Sequence, residues 1–457
     1  MPKPATPAAL HEQSYRRDLG DGLLLRWSTA DDTERLVYLY SRAFRDSPDE
    51  PLNDVMPFWT RDLMSGRHPL IAPEDFALVE DTHSGAIVAA TCLMRATWEY
   101  EGIVLPAGRP EIVATDAEYR NRGLIRAIFA LIHARSEARG DLAQGITGIS
   151  YFYRQFGYEY AMDLDTWRTT LFSATPALKA DASEPYSLRA ATLEDIPLLQ
   201  ALYERERAGA LVTTQIDETY WRWVLAGMDP QSAECWKTQV IEERDGRAVG
   251  YVWTGPMRRG TAISVWGIAT LPGVPLLAVL PSVLRGLRAL APSVRLRKPD
   301  APPADSIRWV LGVEHPIYEA LGDLALTAPT MPPYAWYVRV PDLPALIRRI
   351  APVLEQRLAG SPVTTGYSGE LTLDFHRGGL RLVFEQGRLT TAEDWQIPVW
   401  GTAGAGFPPL VFTQLLFGHR GLDDLRAALP DVEATSEARA VLRTLFPKRR
   451  SMLRFLD

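Results

Sequence analysis

Residues 111–140 read EIVATDAEYRNRGLIRAIFALIHARSEARG, and the spacing of their apolar residues changes once along the way. Up to Thr115 the letters suit a strand. Residues 116–122 form a short polar turn, and from Gly123 onward Leu124, Ile128, Leu131 and Ile132 fall on one face of a helix that ends near Gly140. A strand that hands over to a helix in this way leaves the first helical N–H groups without intrahelical acceptors, directed at whatever lies beyond the strand end. Backbone donors and the helix dipole both favour an anion there. Gly123 permits close approach of a pyrophosphate, and Arg120 or Arg122 adds charge-assisted bonds. The same letters also fit a glycine that only tightens a turn beside arginines facing solvent.

Upstream, LLLRWSTADDTERLVYLYSRAF (23–44) reads as a strand at Leu23 to Trp27, a cap at Thr29 or Asp31, and a helix burying Leu36, Leu39 and Tyr40. FALVE, GAIVAATCLMRATWEYEGIVL and RPEIVAT then predict a meander broken at DTHSG and PAG. Downstream, QGITGI is a strand candidate and SYFYRQFGYEY (150–160) a short aromatic segment. LFSATPALKADASEP (171–185) reads as a linker. Beyond it Leu188, Arg189, Thr192, Asp195, Leu199, Leu202 and Tyr203 repeat Leu25, Arg26, Thr29, Asp32, Leu36, Leu39 and Tyr40 at one constant offset, which points to a duplicated unit. KTQVIEERDGRAVGYVWTG predicts a hairpin turning at Asp245-Gly246, and TAISVWGIAT the next strand. Residues 260–284 are uncharged but hold Pro272, Gly273, Pro275 and Pro281, so they read as strand, turn and buried helix rather than a membrane span.

A third segment opens at YAWYVRV (334–340), with a helix from near Pro344 burying Leu346, Ile347, Ile350 and Leu354. GELTLDF and GLRLVFEQGRLT read as strands. Two helices are expected after the Gly-rich GTAGAGFPP, one in VFTQLLFG and one in LDDLRAALP or EARAVLRTLF, before the terminal SMLRFLD. The fold class is therefore α+β, or mixed α/β.

The 457 residues are 46% hydrophobic and 23% charged, and at roughly 150 residues per domain they form two or three units. A net charge of -7 gives no global positive field for nucleic acid or anionic membranes and favours cationic small molecules. Cys92 and Cys235 supply neither a thiolate zinc site nor a disulfide framework, and the opening MPKPATPAALHEQ has no apolar signal core. A cytoplasmic protein is expected. His11, His68, His83, His133, His315, His376 and His419 show no ligand spacing, so no metal is expected.

Arg120-Asn121-Arg122-Gly123-Leu124-Ile125 resembles the acyl-CoA cradle Arg/Gln-x-x-Gly-x-Gly/Ala of the GNAT acetyltransferase superfamily, with Ile125 where the family carries a small residue. The RGLIRA helix start, the FYRQFGY element and the full-length layout are similar to the Eis-type (enhanced intracellular survival) N-acetyltransferases. That resemblance implies an N-terminal GNAT domain over 1–170, a second, degenerate GNAT-like domain over 186–333 and a sterol-carrier-like domain over 334–457. It implies acetyl-CoA as co-substrate, with Val113 and Thr115 on the pantetheine and Arg120, Arg122, Gly123, Leu124 and Ile125 around the pyrophosphate. Tyr153 becomes the acid that protonates the leaving thiolate, although an aromatic closing the core reads from the same letters. The terminal carboxylate of Asp457 becomes the base, with a frayed charged tail as the alternative. The acceptor implied is an aminoglycoside, a polyamine or a lysine, with no nucleic acid and no membrane insertion. A homo-oligomer, a hexamer among the family's forms, is left open.

In the second copy, TLPGVPLLAVLP offers no arginine and three prolines, which remove the N–H donors a diphosphate needs. One active site per chain is expected. Trp59, Trp98, Tyr100 and Trp400 read equally as substrate walls and as core. Two rival classes remain: a binding protein whose third domain holds an apolar ligand, and a catalytically silent assembly protein.

Overall fold

The computed structural model describes residues 10–164, 166–258, 260–322, 326–327, 334–396 and 401–455. The first unit contains β1 (Arg16–Gly20), β2 (Leu23–Trp27), β3 (Phe76–Asp81), β4 (Ala86–Tyr100), β5 (Ile103–Thr115), β6 (Ala143–Ile146) and β7 (Glu159–Asp163). Successive side chains of β4 take opposite faces of the sheet. Ala90, Cys92 and Met94 pack under the helices Thr33–Ala43 and Met56–Met64, with Leu36, Leu39, Tyr40 and Leu63. Ala89 and Leu93 pack under the helix Leu124–Ala138, with Leu124, Ile128, Leu131 and Ile132. The result is a sheet covered on both faces, which buries nearly all of β4.

The second unit holds β8 (Arg168–Leu171), β9 (Tyr186–Ala190), β10 (Val212–Thr214), β11 (Lys237–Glu243), β12 (Ala248–Thr254), β13 (Met257–Arg258), β14 (Ala262–Thr270), β15 (Arg295–Leu296) and β16 (Ser306–Trp309). The third holds β17 (Ala335–Arg339), β18 (Gly369–Asp374), β19 (Gly379–Glu385), β20 (Arg388–Trp395), β21 (Ala405–Gly406) and β22 (Glu433–Ala434). The sheets run β1-β2-β3-β4-β5-β6-β17-β7, with β10 also paired to β4; β8-β16-β14-β12-β11-β9; and β20-β19-β18-β21-β22. The architecture is α+β, as the patterning predicts. Residues 260–284 form a strand, a proline-bearing turn and the helix Leu276–Leu290, whose Val279, Val283, Leu284 and Leu287 are buried.

Several local expectations are corrected. The meander turns at Glu101-Gly102, both at positive φ, and β5 runs through Pro106-Ala107-Gly108. GLRLVFEQGRLT is a hairpin because Gln386 and Gly387 take positive φ, and both alternative final helices form, as Leu422–Ala428 and Ser436–Leu445. The 171–185 stretch begins on a strand end, since β8 pairs with β16. YAWYVRV does not pair with the sheet that follows it: β17 lies between β6 and β7 of the first sheet, with Tyr337 opposite Ile146 and Tyr160. The helix Leu343–Gly360 starts as expected, its Ala345 N–H bonded to the Asp342 carboxylate at 2.8 Å.

The internal repeat is realised as one polar lock built twice. Arg26 grips Asp32 through two hydrogen bonds of 2.7 and 2.8 Å, and Arg189 grips Asp195 at the same two lengths. Each aspartate also accepts the N–H of the threonine three residues earlier, at 2.8 Å for Thr29 and 2.7 Å for Thr192, so the pair ties a strand to the start of the next helix. Burial pushes the Asp32 carboxyl up, but Arg26 and the Thr29 N–H outweigh it and hold it below its ordinary value. Arg189 holds Asp195 down at about 2. The first lock is dry and the second wet: the Arg and Asp side chains are 8% and 0% exposed in one, 36% and 9% in the other. Breaking a buried pair costs roughly 3 kcal/mol or more, an exposed one about 1 or less. Asp32→Asn is therefore expected to lower the unfolding midpoint in urea clearly more than Asp195→Asn. Equal losses would contradict the difference in burial.

Candidate functional site

β5 and β6 are parallel neighbours for two pairs only, Ala107 with Ala143 and Gly108 with Gln144. Past these, no ladder pair joins them among the described residues, and a groove opens between the end of β5 and the segment after β6. A bulge marks the parting: the β4–β5 register shifts between Ala90 and Cys92, and Ile112 takes φ +51°. The groove, about 650 Å³, is lined by Val113 and Thr115 from β5, by Arg120, Gly123, Leu124 and Ile125 from the turn and helix start, and by Ile149, Phe152 and Phe156 opposite.

Local chemistry builds the turn that closes one end. Asp116 accepts the Glu118 N–H at 3.1 Å and pairs with Arg42 at 3.1 Å, so its carboxylate serves the turn and not the groove. Asn121 and Gly123 take the left-handed conformation, φ +63° and +75°. The first intrahelical bond runs from Ala127 N–H to the Gly123 carbonyl, so the N–H groups of Leu124, Ile125 and Arg126 precede any helical partner. A Cβ built on Gly123 meets nothing within 4 Å, and Thr115 Oγ1 is buried with no hydrogen bond among the described residues. Open donors, an open approach and an orphaned hydroxyl fit a phosphate-bearing, amide-bearing ligand.

Of the residues expected here, Val113, Thr115, Arg120, Gly123, Leu124 and Ile125 come together on one groove. Arg122 does not line it; its guanidinium lies 5.0 Å from the centre of the Tyr119 ring. Arg126, one turn into the helix, lines it instead and bonds Gln155 at 2.9 Å. A helix period read forward from Gly123 would have found Arg126.

Tyr153 sits between groove residues Phe152 and Phe156 in the turn Phe152–Phe156 and is buried. Its ring packs at 5.8 Å from Phe129 and 5.4 Å from Tyr337. Burial pushes its phenol well above the usual range, helped by the Glu111 carboxylate, so it holds its proton at neutral pH. Beside it Tyr337 bonds the Tyr160 hydroxyl at 2.7 Å, and Tyr334 lies 3.0 Å from the same oxygen. Burial alone would raise the Tyr160 phenol; the bonds from Tyr334, Tyr337 and the Tyr151 N–H outweigh it and bring it below its ordinary value. Sequence reasoning missed this tyrosine cluster because Tyr334 and Tyr337 arrive on β17.

It also missed Glu111, one residue before the bulge, which accepts Arg109 at 2.7 Å. Arg109 in turn lies 5.5 Å from the Trp336 ring and 5.3 Å from that of Phe455, so the chain's last segment reaches the first sheet. Asp457 lies outside the described residues, as does Trp400. Trp98 and Tyr100 are core residues. Gly145 lets the Trp98 ring lie on β6, where a Cβ would come within 2.6 Å of it.

The second unit repeats the groove with a proline where the first has Gly123. Ile268, Ala269 and Thr270 face Pro275, Leu276 and Leu277 across a cavity of about 570 Å³, and Pro275 occupies the helix cap.

Residues 25–161 match the family model of the acetyltransferase (GNAT) domain, so the first unit carries an N-acetyltransferase domain. No curated protein matches the chain. Among solved structures, it is similar to a GCN5-related N-acetyltransferase from Anabaena variabilis ATCC 29413 at 14% identity and TM-score 0.63, covering 94% of this chain and 99% of that one. A probable N-acyltransferase from Enterococcus faecalis V583 is similar at 16% identity and TM-score 0.64, covering 95% and 99%. Eis1 from Mycobacterium abscessus is similar at 15% identity and TM-score 0.59, covering 94% and 98%. These likenesses show a shared fold along nearly the whole chain.

Gly123→Ala tests the turn. A left-handed alanine costs about 1–2 kcal/mol, and the space around it lets the chain fold. Its methyl would stand in the groove, so CoA affinity measured by calorimetry is expected to drop at least tenfold. Unchanged affinity would take this turn out of the site.

Proposed function

We propose, from the premise of an acetyltransferase (GNAT) domain over residues 25–161, that this chain transfers an acetyl group directly from acetyl-CoA to a cationic amine of the aminoglycoside or polyamine class, or to a lysine side chain. The single observation that carries the reading is the groove between the parting strands β5 and β6, closed by the Gly123 turn with its open N–H groups. Acetyl-CoA lies along it with its pyrophosphate at Leu124–Arg126 and its amides against Val113 and Thr115. Arg120 and Arg126 add charge at the pyrophosphate. Arg122, whose guanidinium lies over Tyr119, is the neighbour of Gly123 in the same turn.

The reaction needs an uncharged amine, a polarised carbonyl and a protonated leaving group. A carboxylate at Asp457 takes the ammonium proton, and the freed lone pair attacks the thioester carbon. Backbone N–H groups at the bulge near Val113 hold the carbonyl oxygen as it gains charge. The new C–N bond forms, the C–S bond breaks, Tyr153 gives its proton to the departing thiolate, and the second proton shed by the acylated nitrogen restores the phenol. Its raised pKa suits the role, since the phenol is protonated when the sulfur leaves. Holding both substrates in one orientation supplies much of the remaining acceleration.

The negative net charge of the chain supports a cationic acceptor. Cys92 and Cys235, both buried and neither in a disulfide, suit the reducing cytoplasm. The third unit, a five-stranded sheet whose apolar core runs on into Trp98, Tyr100 and Leu105 of the first, is read as sterol-carrier-like, and its part is to support the last segment of the chain against the first unit.

Tyr153→Phe keeps the ring packing and removes the proton, so kcat is expected to fall about 100-fold with acetyl-CoA affinity unchanged. Steady-state turnover equal to the parent would remove the acid role. Deleting Leu456 and Asp457 is expected to abolish transfer at neutral pH while circular dichroism stays as in the parent; retained transfer would exclude the base. The whole reading is tested by CoA release across a panel of aminoglycosides, polyamines and lysine peptides, and release with none of them would end it.

A further inference from the structure

The two units share a plan, yet their corresponding positions have diverged at the place where chemistry would occur. The offset that relates Tyr40 to Tyr203 relates Ala43, which lines the first groove, to Glu206, which lines the second. Both third strands carry a bulge shortly before their end, at Ile112 in β5 and at Trp266 in β14. In the first unit the bulge faces the groove. In the second, the Trp266 carbonyl accepts a hydrogen bond from the guanidinium of Arg454, whose other nitrogen pairs with Glu206 at 2.7 Å. Both side chains of that pair are 7% exposed, and the Tyr251 hydroxyl donates to the second Glu206 oxygen. The Arg454 guanidinium also lies 5.9 Å from the Trp253 ring.

The chain's last segment reaches this position on a backbone track. Leu211 N–H bonds the Arg450 carbonyl at 2.7 Å, Met452 N–H the Val212 carbonyl at 2.7 Å, and Arg454 N–H the Thr214 hydroxyl at 3.0 Å. Met452 thereby adds to β10 as a parallel bridge, and β10 is itself paired with Trp98–Tyr100 of β4 in the first sheet. One residue later Phe455 stacks on Trp336 at 4.9 Å, against Arg109 of the first unit. Consecutive residues therefore touch the bulge of one copy and the neighbourhood of the bulge of the other.

We propose that the second unit's former acyl-transfer position has become a socket for the chain's own tail, and that Arg454, held by Glu206 and the Trp266 carbonyl, is a positioning residue setting how far the last residues reach toward the first-unit site. The inference rests on the reading of Asp457 as the base. A buried, bidentate guanidinium fixes both distance and direction, which a single hydrophobic contact would not. Displacements of about 1 Å at a base cost up to about 100-fold in rate.

Arg454→Met, Arg454→Lys, Glu206→Gln and the deletion of Leu456 and Asp457 are compared in the full-length protein. Two measurements are made: hydrogen exchange over residues 450–455, and CoA release from acetyl-CoA with spermidine and with kanamycin between pH 7 and 10. Arg454→Met is expected to raise exchange over 450–455 at least tenfold and lower kcat about 30-fold at pH 7, with acetyl-CoA affinity within twofold of the parent. Its deficit should shrink as pH rises, because an amine already deprotonated needs no base, whereas a merely structural defect would be flat in pH. Arg454→Lys should recover part of the rate, and Glu206→Gln, which removes the charge and one of the two acceptor oxygens that Arg454 and Tyr251 use, covers the case in which Arg454→Met does not fold. Unchanged exchange in Arg454→Met and Glu206→Gln overturns the socket. Normal kcat in both, with transfer lost in the deletion, overturns the positioning role and leaves the base in place; transfer retained in the deletion overturns the base reading and the positioning role together, while raised exchange would still support the socket.

Discussion

The backbone pairing between β5 and β6 stops after Gly108 and Gln144, and almost everything functional in the chain depends on that stop. A sheet interior normally leaves no room for a ligand, because each strand's N–H and C=O groups are taken by its neighbours. Here β5 keeps its bonds to β4, while its other edge at Val113–Thr115 faces a groove. The bulge at Ile112 turns the strand, and β17 takes up the far edge of β6, so parting the two strands does not strand the backbone of β6. The helix Leu124–Ala138 then starts at the mouth of the groove because the left-handed Gly123 ends the turn there.

Duplication explains the frame of the second unit but not its use. The Arg–Asp–Thr lock recurs with the same bond lengths, and the strand, turn and helix of the groove recur with it. What differs is the donor set. Gly123 is matched by Pro275, which cannot donate a hydrogen bond, and the small Ala43 by the charged Glu206. A position given a buried carboxylate favours a cation, and the cation paired with it is Arg454 of the same chain.

The three units are also interleaved rather than strung in line. β17 completes the first sheet, β10 lengthens it at the end of β4, and the last segment runs on β10. Tyr334 and Tyr337, beside Tyr153, come from the start of the third segment, and Phe455 from its end. The aromatic cluster behind the first unit's groove is therefore built partly from residues more than 170 positions away in the chain.

What the letters alone determined was local. Apolar spacing located the helix after Gly123, the helix after Asp342 and the duplicated strand–helix start, because side chains three and four apart share a helix face wherever the helix goes. The pyrophosphate turn was legible for the same reason: its donors, its glycine and Arg120 lie within seven residues. Tertiary structure alone decided that Arg122 turns to Tyr119 while Arg126 faces the groove, that Glu111 stands by Tyr153, and that β17 belongs to the first sheet. Those outcomes rest on backbone hydrogen bonds and buried ion pairs between segments far apart in sequence. Strand pairing satisfies donors and acceptors wherever a matching edge is offered, and no periodicity within a segment says which edge that will be.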